Sequence, residues 1–242
     1  MSRVYLVRHG QAGTRECYDS LSGLGLRQAR LLGEYFLSEQ IRFTAAYTGA
    51  LVRQQETAAE VRTVYRAAGV YFPEIVPEPG WNEFDLADVY RAIAPQLSAQ
   101  DPEFQREYQE LVEQARAAAG QPEAGVNRRW LPCDVKVVQA WVHGRHAYDG
   151  ESWQVFRDRV IGCRVKLDPA ERDDNTVVFT SATPIGIWAA LAMEIHDERA
   201  MRLAGVLHNT SYTVLRLHQG DLRLHSFNAI PHLCDPALRT YR

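Results

Sequence analysis

The stretch Val4-Tyr5-Leu6-Val7-Arg8-His9-Gly10-Gln11 decides the fold of this chain. Four apolar residues, three of them β-branched or aromatic, predict a short buried strand, and the abrupt change to Arg-His-Gly predicts a turn at its carboxyl end. Open α/β sheets bind ligands at this end of their strands. A histidine placed there, between a guanidinium group and a glycine that lets a ligand approach the backbone, is suited to meet a phosphate group. A surface histidine in an ordinary loop is the alternative, because short motifs often occur by chance.

The composition is typical of a globular protein with a large core. The 242 residues are 46% hydrophobic, which fits one large α/β domain better than two independent domains. The formal net charge of −3 argues against a nucleic-acid partner. No apolar run is long enough to span a bilayer, and Arg8 interrupts the first run too early for a secretory leader. We therefore expect a cytoplasmic protein without a membrane or nucleic-acid partner.

The cysteines do not indicate a metal or redox site. Cys17, Cys133, Cys163 and Cys234 are far apart in sequence and form no C-x-x-C pair. A chain of this length with a large core also has little need of disulfides. We expect no metal ion and no cofactor.

Strands and helices alternate along most of the chain. A helix with Ser22 as its N-cap is predicted over 24–36, a strand over 43–47, and a helix with Arg53 in its first turn over 50–68. A third strand is predicted over 71–76 and a central strand over 176–180, followed by a helix with Pro184 at its first position. Two late strands, 212–217 and 222–227, are predicted to form a hairpin.

Residues 86–148 interrupt this alternation. The pattern is helical and strongly polar up to Ala119, and from Gly125 to Gly150 it has little periodicity. Since nothing there resembles a buried parallel strand, we interpret about 86–148 as a largely helical insertion, or cap, on a single domain that spans 1–242. Basic and aromatic residues over 127–146 could form a lid that recognises a second anionic group. A solvated insertion face is the simpler explanation.

The ordered set of motifs resembles the histidine phosphatase superfamily, also called the phosphoglycerate mutase-like family. The resemblance covers most of the chain outside the insertion. It implies a three-layer α/β/α sandwich on a mainly parallel central sheet, which agrees with the alternation of strands and helices. The matching segments are Arg8-His9-Gly10, Leu21-Ser22 with Gly25, Gln28 and Ala29, Arg53 with Gln55, Thr57 and Ala58, Trp81 to Asp85, Gly150-Glu151-Ser152 with Phe156 and Arg159, and Asn209-Thr210-Ser211.

The resemblance also implies a phosphohistidine mechanism. The first histidine of the family is the nucleophile, so His9 would attack phosphorus as a neutral imidazole. Arg8 and Arg53 would bind the non-bridging oxygens through bidentate hydrogen bonds that lysine cannot make. Glu83 would protonate the leaving oxygen and later take a proton from water, aided by a raised pKa beside the bound dianion. Its local alternatives are Glu78, Asp85 and Asp88.

The chain departs from the family at one position. The second histidine of the family follows the late central strand, and Ala182 stands in its place. Loss of one preorganised donor lowers a rate about a hundred- to a thousand-fold. The hydroxyl of Ser181 or Thr183 and the start of the following helix could supply part of this role. A distant imidazole could supply it too, although a structural role is more common for such residues: His208 first, then His143, His146 and His232.

These observations predict a phosphatase that hydrolyses phosphomonoesters through a phosphohistidine at His9, with activity reduced or altered by Ala182. A catalytically silent phosphate-binding protein is one alternative. A phosphoglycerate mutase is a less consistent one, because it needs a well-formed phosphoryl site that excludes water. The expected partner is a phosphorylated small molecule, and a homodimer is one assembly that the chain allows. The predicted phosphate site comprises Arg8, Arg53, Gly10, Gln11, Ala182 and Thr183.

Overall fold

A computed structural model describes residues 2–13, 19–117, 132–167, 174–196, 199–218 and 220–241. Cys17 and the beginning of the predicted lid, 127–131, lie outside the described residues. The chain divides into two compact units, residues 1–83 with 159–242 and residues 84–158. The interpretation of the second unit as an insertion on a single domain stays a prediction.

A six-stranded sheet forms the framework of the first unit, with the strand order β3-β2-β4-β1-β5-β6. The strands are β1 (Ser2–Arg8), β2 (Ala45–Thr48), β3 (Ile75–Pro77), β4 (Asn175–Thr180), β5 (Tyr212–His218) and β6 (Asp221–Ala229). The α-helices of both units, within the described residues, are α1 (Gly23–Ser38), α2 (Val52–Ala67), α3 (Leu86–Gln100), α4 (Pro102–Ala117), α5 (Pro132–Val142), α6 (Trp153–Gly162), α7 (Ala182–Ala192) and α8 (Ala200–Ala204).

The sheet is mixed and mostly parallel. Strands β3, β2, β4 and β1 run parallel to one another, while β5 pairs antiparallel with β1 and forms an antiparallel hairpin with β6. Strand β4 lies between β2 and β1, as its continuous apolar sequence predicts for a strand covered on both faces. The predicted α/β fold with a mainly parallel sheet is confirmed.

Two predicted boundaries are wrong. Pairing of β3 with β2 begins only at Ile75, opposite Ala46, rather than at residue 71. Pro73 explains the delay, because proline has no N–H to contribute to a strand ladder. Helix α7 begins at Ala182 after the extended N-cap Ser181, so Pro184 is its third residue and not its first. Proline is tolerated there because the first turn of a helix has no intrahelical acceptors for its N–H groups.

An aromatic core holds β1 against α1 and α2. The Tyr5 ring meets Phe36 and Phe43 edge-on, with ring centroids 5.8 and 5.4 Å apart, which is a favoured geometry for aromatic pairs. Ala58 and Val61 of α2 belong to the same buried cluster. This core fixes the last strand residues before the Arg-His-Gly turn.

The start of α1 touches the exit of β1 through backbone atoms. Ser22 caps the helix as predicted, since its hydroxyl accepts from the Gly25 N–H at 3.0 Å. A Cβ added to Gly10 would lie 2.6 Å from the Gly25 carbonyl oxygen. Glycine is therefore required at position 10 to let strand exit and helix meet.

The second unit is helical throughout its described part, 84–117 and 132–158. Helix α5 occupies a segment for which the sequence predicts little periodicity. Its buried residues, among them Cys133, Val137, Val138 and Trp141, lie on one face of this short helix, and the charged Asp134 on the same face obscures the apolar pattern. Trp141 stacks on Phe84 with ring centroids 4.5 Å apart. In the part of the chain that the structure describes, no helix is long and apolar enough to cross a bilayer.

Candidate active site

The residues predicted to bind phosphate follow the carboxyl ends of four adjacent parallel strands. Arg8 at the end of β1 pairs in register with Thr180 at the end of β4, and Thr48 of β2 pairs with Phe179. The His9 N–H continues this ladder by donating to the Thr180 carbonyl at 2.9 Å. The chain then leads from β2 to Arg53, from β3 to Glu83 and from β4 to Ala182. This edge is where parallel sheets carry ligand sites.

His9 is buried and bonded at both ring nitrogens. Its Nδ1 lies 2.7 Å from the Gly10 carbonyl oxygen, and its Nε2 lies 3.3 Å from Nε of Arg53. A guanidinium group can only donate, so Nε2 accepts and the ring proton resides on Nδ1. The Nε2 lone pair therefore points toward Arg53.

The environment of His9 favours the neutral imidazole. Burial lowers the His9 pKa well below its usual 6.5, and the positive charges of Arg53 and Arg8 lower it further. The hydrogen bond to Gly10 opposes this shift. A neutral imidazole with an available lone pair is the form that can act as a nucleophile.

Arg53, the second residue of α2, connects the imidazole with a carboxylate. Its guanidinium group is buried and donates from Nη1 to Asp19 at 2.7 Å, in addition to the contact with His9. The other Asp19 oxygen accepts from the Val52 N–H at 3.2 Å, at the start of α2. Asp19 thus places negative charge on a guanidinium group and a helix N-terminus, both of which attract anions.

Arg8 is buried and turned toward backbone carbonyls. Its Nη1 donates to the Leu207 carbonyl, and its Nη2 donates to the Tyr241 carbonyl at 2.5 Å. Its charge still acts on the His9 ring by lowering the His9 pKa. The structure therefore brings Arg8 into the electrostatic surroundings of His9 while anchoring its guanidinium group to two distant segments.

Glu83 follows a short turn that an arginine holds in place. One Glu83 oxygen accepts from the Thr183 N–H at 3.1 Å, in the first turn of α7. Upstream, Nη1 of Arg159 lies 3.0 to 3.3 Å from the carbonyl oxygens of Pro79, Gly80 and Asn82. The carboxylate is thus fixed at the exit of β4, beside Ala182.

A comparison with protein-family sequence profiles agrees with this geometry. The histidine phosphatase superfamily (branch 1) matches residues 4–138 and 131–230, which together span most of the chain. The chain belongs to the histidine phosphatase superfamily. The predicted family is therefore confirmed, and a comparison with curated protein sequences found no match.

Solved structures of superfamily type have the same fold. A phosphoglycerate mutase from Bacillus anthracis is 16% identical, with a TM-score of 0.61 over 96% of this chain and 94% of that one. A phosphoserine phosphatase from Entamoeba histolytica, solved with 3-phosphoglyceric acid, is 17% identical, with a TM-score of 0.59 over 96% and 100% of the two chains. A mycobacterial glucosyl-3-phosphoglycerate phosphatase is 20% identical, with a TM-score of 0.53 over 94% and 98%. At these identities the likeness establishes the fold.

The exit of β4 lacks the side-chain donor that the superfamily resemblance leads one to expect. Ala182 is the first residue of α7 and is partly buried. The Ser181 hydroxyl accepts from Nε2 of Gln54 at 2.8 Å, so this hydroxyl is engaged in holding α2 against the strand exit. Thr183 is buried, and its N–H already bonds Glu83.

The amides beside His9 bond to helices α1 and α2. The Gly10 N–H donates to the Thr57 hydroxyl at 3.0 Å, and the Gln11 N–H donates to Oε1 of Gln28 at 2.9 Å. Both acceptors belong to motif segments of the superfamily resemblance. These helices therefore fix the loop that follows His9.

The structure gives two of the candidate distant imidazoles other contacts. The His208 ring contacts Asn228, whose Oδ1 is 3.4 Å from Nδ1, and the Tyr241 ring, whose centroid is 4.3 Å away. His232 bonds the Thr210 hydroxyl at 3.0 Å. His143 and His146 belong to the second unit. Among the described residues, no group of three or more His, Cys, Asp or Glu is arranged to hold a metal ion.

Two contributors were not predicted in these roles. Asp19 lies beside Arg53 without any sequence motif to mark it. Arg159 belongs to a segment that matches the superfamily, but its contact with the turn before Glu83 joins segments about 80 residues apart. Contacts of such sequence separation leave no local pattern to detect.

Proposed function

We propose that the protein is a phosphatase that hydrolyses phosphomonoesters through a phosphohistidine at His9. One observation carries the proposal: the buried, neutral His9 ring keeps its proton on Nδ1, against the Gly10 carbonyl, and directs Nε2 at the guanidinium group of Arg53. A phosphate held by Arg53 would therefore meet the nucleophilic lone pair.

The first step would transfer the phosphoryl group to the protein. Nε2 of His9 forms a bond to phosphorus as the bond from phosphorus to the ester oxygen breaks, and protonated Glu83 gives its proton to the departing oxygen. The Nδ1 proton stays on the ring against Gly10. The phosphorylated imidazole then carries a positive charge, which makes it a good leaving group for the second step.

In the second step water would release inorganic phosphate. Water attacks phosphorus, the Glu83 carboxylate takes the proton from that water, and the bond from Nε2 to phosphorus breaks to restore the neutral imidazole. Arg53 and Arg8 would stabilise the charge on the non-bridging oxygens in both steps. The proposed phosphate site also includes Gly10, Gln11, Ala182 and Thr183.

Ala182 is expected to reduce turnover. The imidazole expected at this position would donate to the transferring phosphoryl group, and its loss corresponds to about 2.7 to 4 kcal/mol of transition-state stabilisation. The nucleophile and its proton arrangement do not depend on that group. We therefore propose a slow or specialised phosphatase, cytoplasmic and acting on a phosphorylated small molecule.

Ala182 also favours the second candidate function, a phosphate-binding protein without catalytic activity. The Glu83 carboxylate accepts from the Thr183 N–H at the start of α7. Without Glu83, this N–H would be a hydrogen-bond donor for an incoming phosphate. A protein that binds phosphate without turnover would retain Arg53 and His9 and tolerate this arrangement.

Aryl-phosphate turnover and phosphoenzyme formation distinguish the two functions. We expect the purified protein to release phosphate and to trap acid-labile, base-stable phosphate on His9, and we expect His9→Ala to lose both. The exposed His225→Ala variant is the matched control. Equal background rates for the wild type and His9→Ala would overturn the phosphatase proposal. Vanadate binding by a wild-type protein that shows no turnover would support the silent alternative.

A further inference from the structure

A strained turn precedes β5 and lies against the end of β1. The Ser211 N–H donates to the His208 carbonyl at 3.1 Å and closes the turn, whose third residue, Thr210, has a φ of +55°. Glycine or asparagine is usual at such a position, because a β-branched side chain crowds the backbone there. Asn209 and Thr210 are fully buried, so surrounding contacts must maintain the conformation.

The turn holds the backbone of the proposed nucleophile. The His9 carbonyl oxygen accepts from Nδ2 of Asn209 at 3.1 Å and from the Thr210 N–H at 3.3 Å. The Ser211 carbonyl accepts from the Arg8 N–H at 3.0 Å. The strained conformation thus aims two donors at one carbonyl.

The peptide plane between His9 and Gly10 is consequently held from both edges. The turn binds its carbonyl, while the Thr57 hydroxyl of α2 binds its N–H at 3.0 Å. The His9 ring is bonded to the carbonyl of the next peptide along the chain. A rotation of the held plane would therefore shift the acceptor of Nδ1 and turn Nε2 away from Arg53.

His232 secures the turn from the opposite side. The Thr210 hydroxyl donates to the Asn209 carbonyl at 2.7 Å, so it accepts from Nε2 of His232 at 3.0 Å. His232 is buried, and its Nδ1 has no hydrogen-bond partner among the described residues. Burial lowers its pKa to about 4, which keeps the ring neutral with its proton on Nε2 at ordinary pH.

We propose that Thr210 and His232 are positioning residues for His9, acting through the His9 carbonyl. The inference rests on the proposed function, in which His9 is the nucleophile. The chain of contacts runs from the His232 ring to the Thr210 hydroxyl, through the strained turn to the His9 peptide, and so to the direction of Nε2.

Turnover by two His232 variants tests the proposal. His232→Ala removes the donor to Thr210, and we expect kcat to fall about ten- to a hundred-fold with KM changed less than about twofold, as for a misaligned reacting group. His232→Gln retains an N–H at the same place, and we expect at least about a third of wild-type kcat. Equal kcat values for His232→Ala and wild type would overturn the proposal. An equal loss in both variants would also overturn it, because a general packing defect gives no rescue.

The His9 ring supplies a readout independent of turnover. In ¹⁵N-labelled protein we expect the Nδ1 proton of His9 to exchange with water at least about tenfold faster in His232→Ala than in wild type, and at the wild-type rate in His232→Gln. This measurement decides the positioning role even if the wild type proves inactive and the proposed function fails. An unchanged exchange rate in His232→Ala overturns the proposal. Should that variant not fold, Thr210→Val, which removes the hydroxyl that bonds His232 and keeps a β-branched side chain, is expected to lower kcat and to speed the Nδ1 exchange in the same way.

Discussion

The exits of β1 and β4 are neighbours in the sheet, yet they differ in the chemistry that they carry. At the β1 exit, the His9 N–H, carbonyl and both ring nitrogens have defined partners. At the β4 exit, Ala182 contributes only a methyl group, and the first turn of α7 bonds Glu83 instead. The two exits are joined by the bond from His9 N–H to the Thr180 carbonyl.

The scaffold of this edge therefore does not need a histidine at both exits. Backbone pairing and the bond from Gln54 to Ser181 hold the β4 exit in place without an imidazole. The fold therefore persists although the second histidine that the superfamily resemblance leads one to expect is absent.

Among the four predictions, removal of Arg53 at the β1 exit should have the largest effect on kcat/KM. We expect Arg53→Ala and Arg53→Lys to lower kcat/KM about a hundred- to a thousand-fold, since lysine cannot reproduce the guanidinium fork. Without the Arg53 charge the His9 pKa should rise toward its usual value, so the acid limb of the pH profile should move to higher pH. Arg66→Ala, an exposed position at the other end of α2, is the control. A change of less than about threefold in kcat/KM would exclude Arg53 from the site.

Acid should destabilise the folded protein through its buried histidines, His232 and His9. The His232 pKa is about 4 in the folded protein and about 6.5 when unfolded, so below pH 6.5 the unfolded chain binds a proton that the folded chain excludes. The free energy of unfolding should therefore fall by about 3 kcal/mol between pH 7 and pH 4 from this group alone. His9 adds a loss of the same sign.

Denaturant melts at several pH values measure this effect. His232→Gln should remove the His232 share of the loss, whereas the exposed His196→Gln should leave the pH dependence unchanged. Parallel pH curves for wild type and His232→Gln would mean that His232 titrates in the folded state much as it does in the unfolded chain.

Repair of the β4 exit is the complementary experiment. Ala182→His places an imidazole beside Glu83 and one residue after the N-cap of α7, and we expect kcat to rise about ten- to a hundred-fold. Met193→His, at the exposed far end of the same helix, should leave kcat unchanged. An unaltered or lower kcat in folded Ala182→His would indicate that the β4 exit has been rebuilt around Glu83.

Asp19 gives the smallest expected effect. Its carboxylate competes with phosphate for Arg53 and the α2 N-terminus, so Asp19→Asn should bind phosphate or vanadate about three- to tenfold more tightly. Asp221→Asn, which alters an exposed aspartate paired with Arg223, should leave binding unchanged. Weaker binding in Asp19→Asn would assign Asp19 the opposite role of holding Arg53 in place.

Local patterns in the sequence were sufficient for the order of the six strands along the chain and for helices α1, α2 and α7. The apolar run of β4 and the Ser22 cap depend on neighbouring residues, so they could be read directly. The bond between Glu83 and the Thr183 N–H joins residues 100 positions apart, and the bond between Asn209 and His9 joins residues 200 positions apart. No local pattern encodes such contacts, which is why Asp19, Arg159 and the strained turn emerged only from the folded chain.

Neighbouring residues alone are enough to predict that a strand ends in Arg8-His9-Gly10, and the superfamily resemblance is enough to find alanine at the position of the second histidine. The tertiary structure decided which nitrogen of His9 carries the proton and why the ring stays neutral. Both depend on burial and on Arg53, which arrives from a different helix. The tertiary structure also turned Arg8 toward the Leu207 and Tyr241 carbonyls, because only folding brings those distant segments to the end of β1.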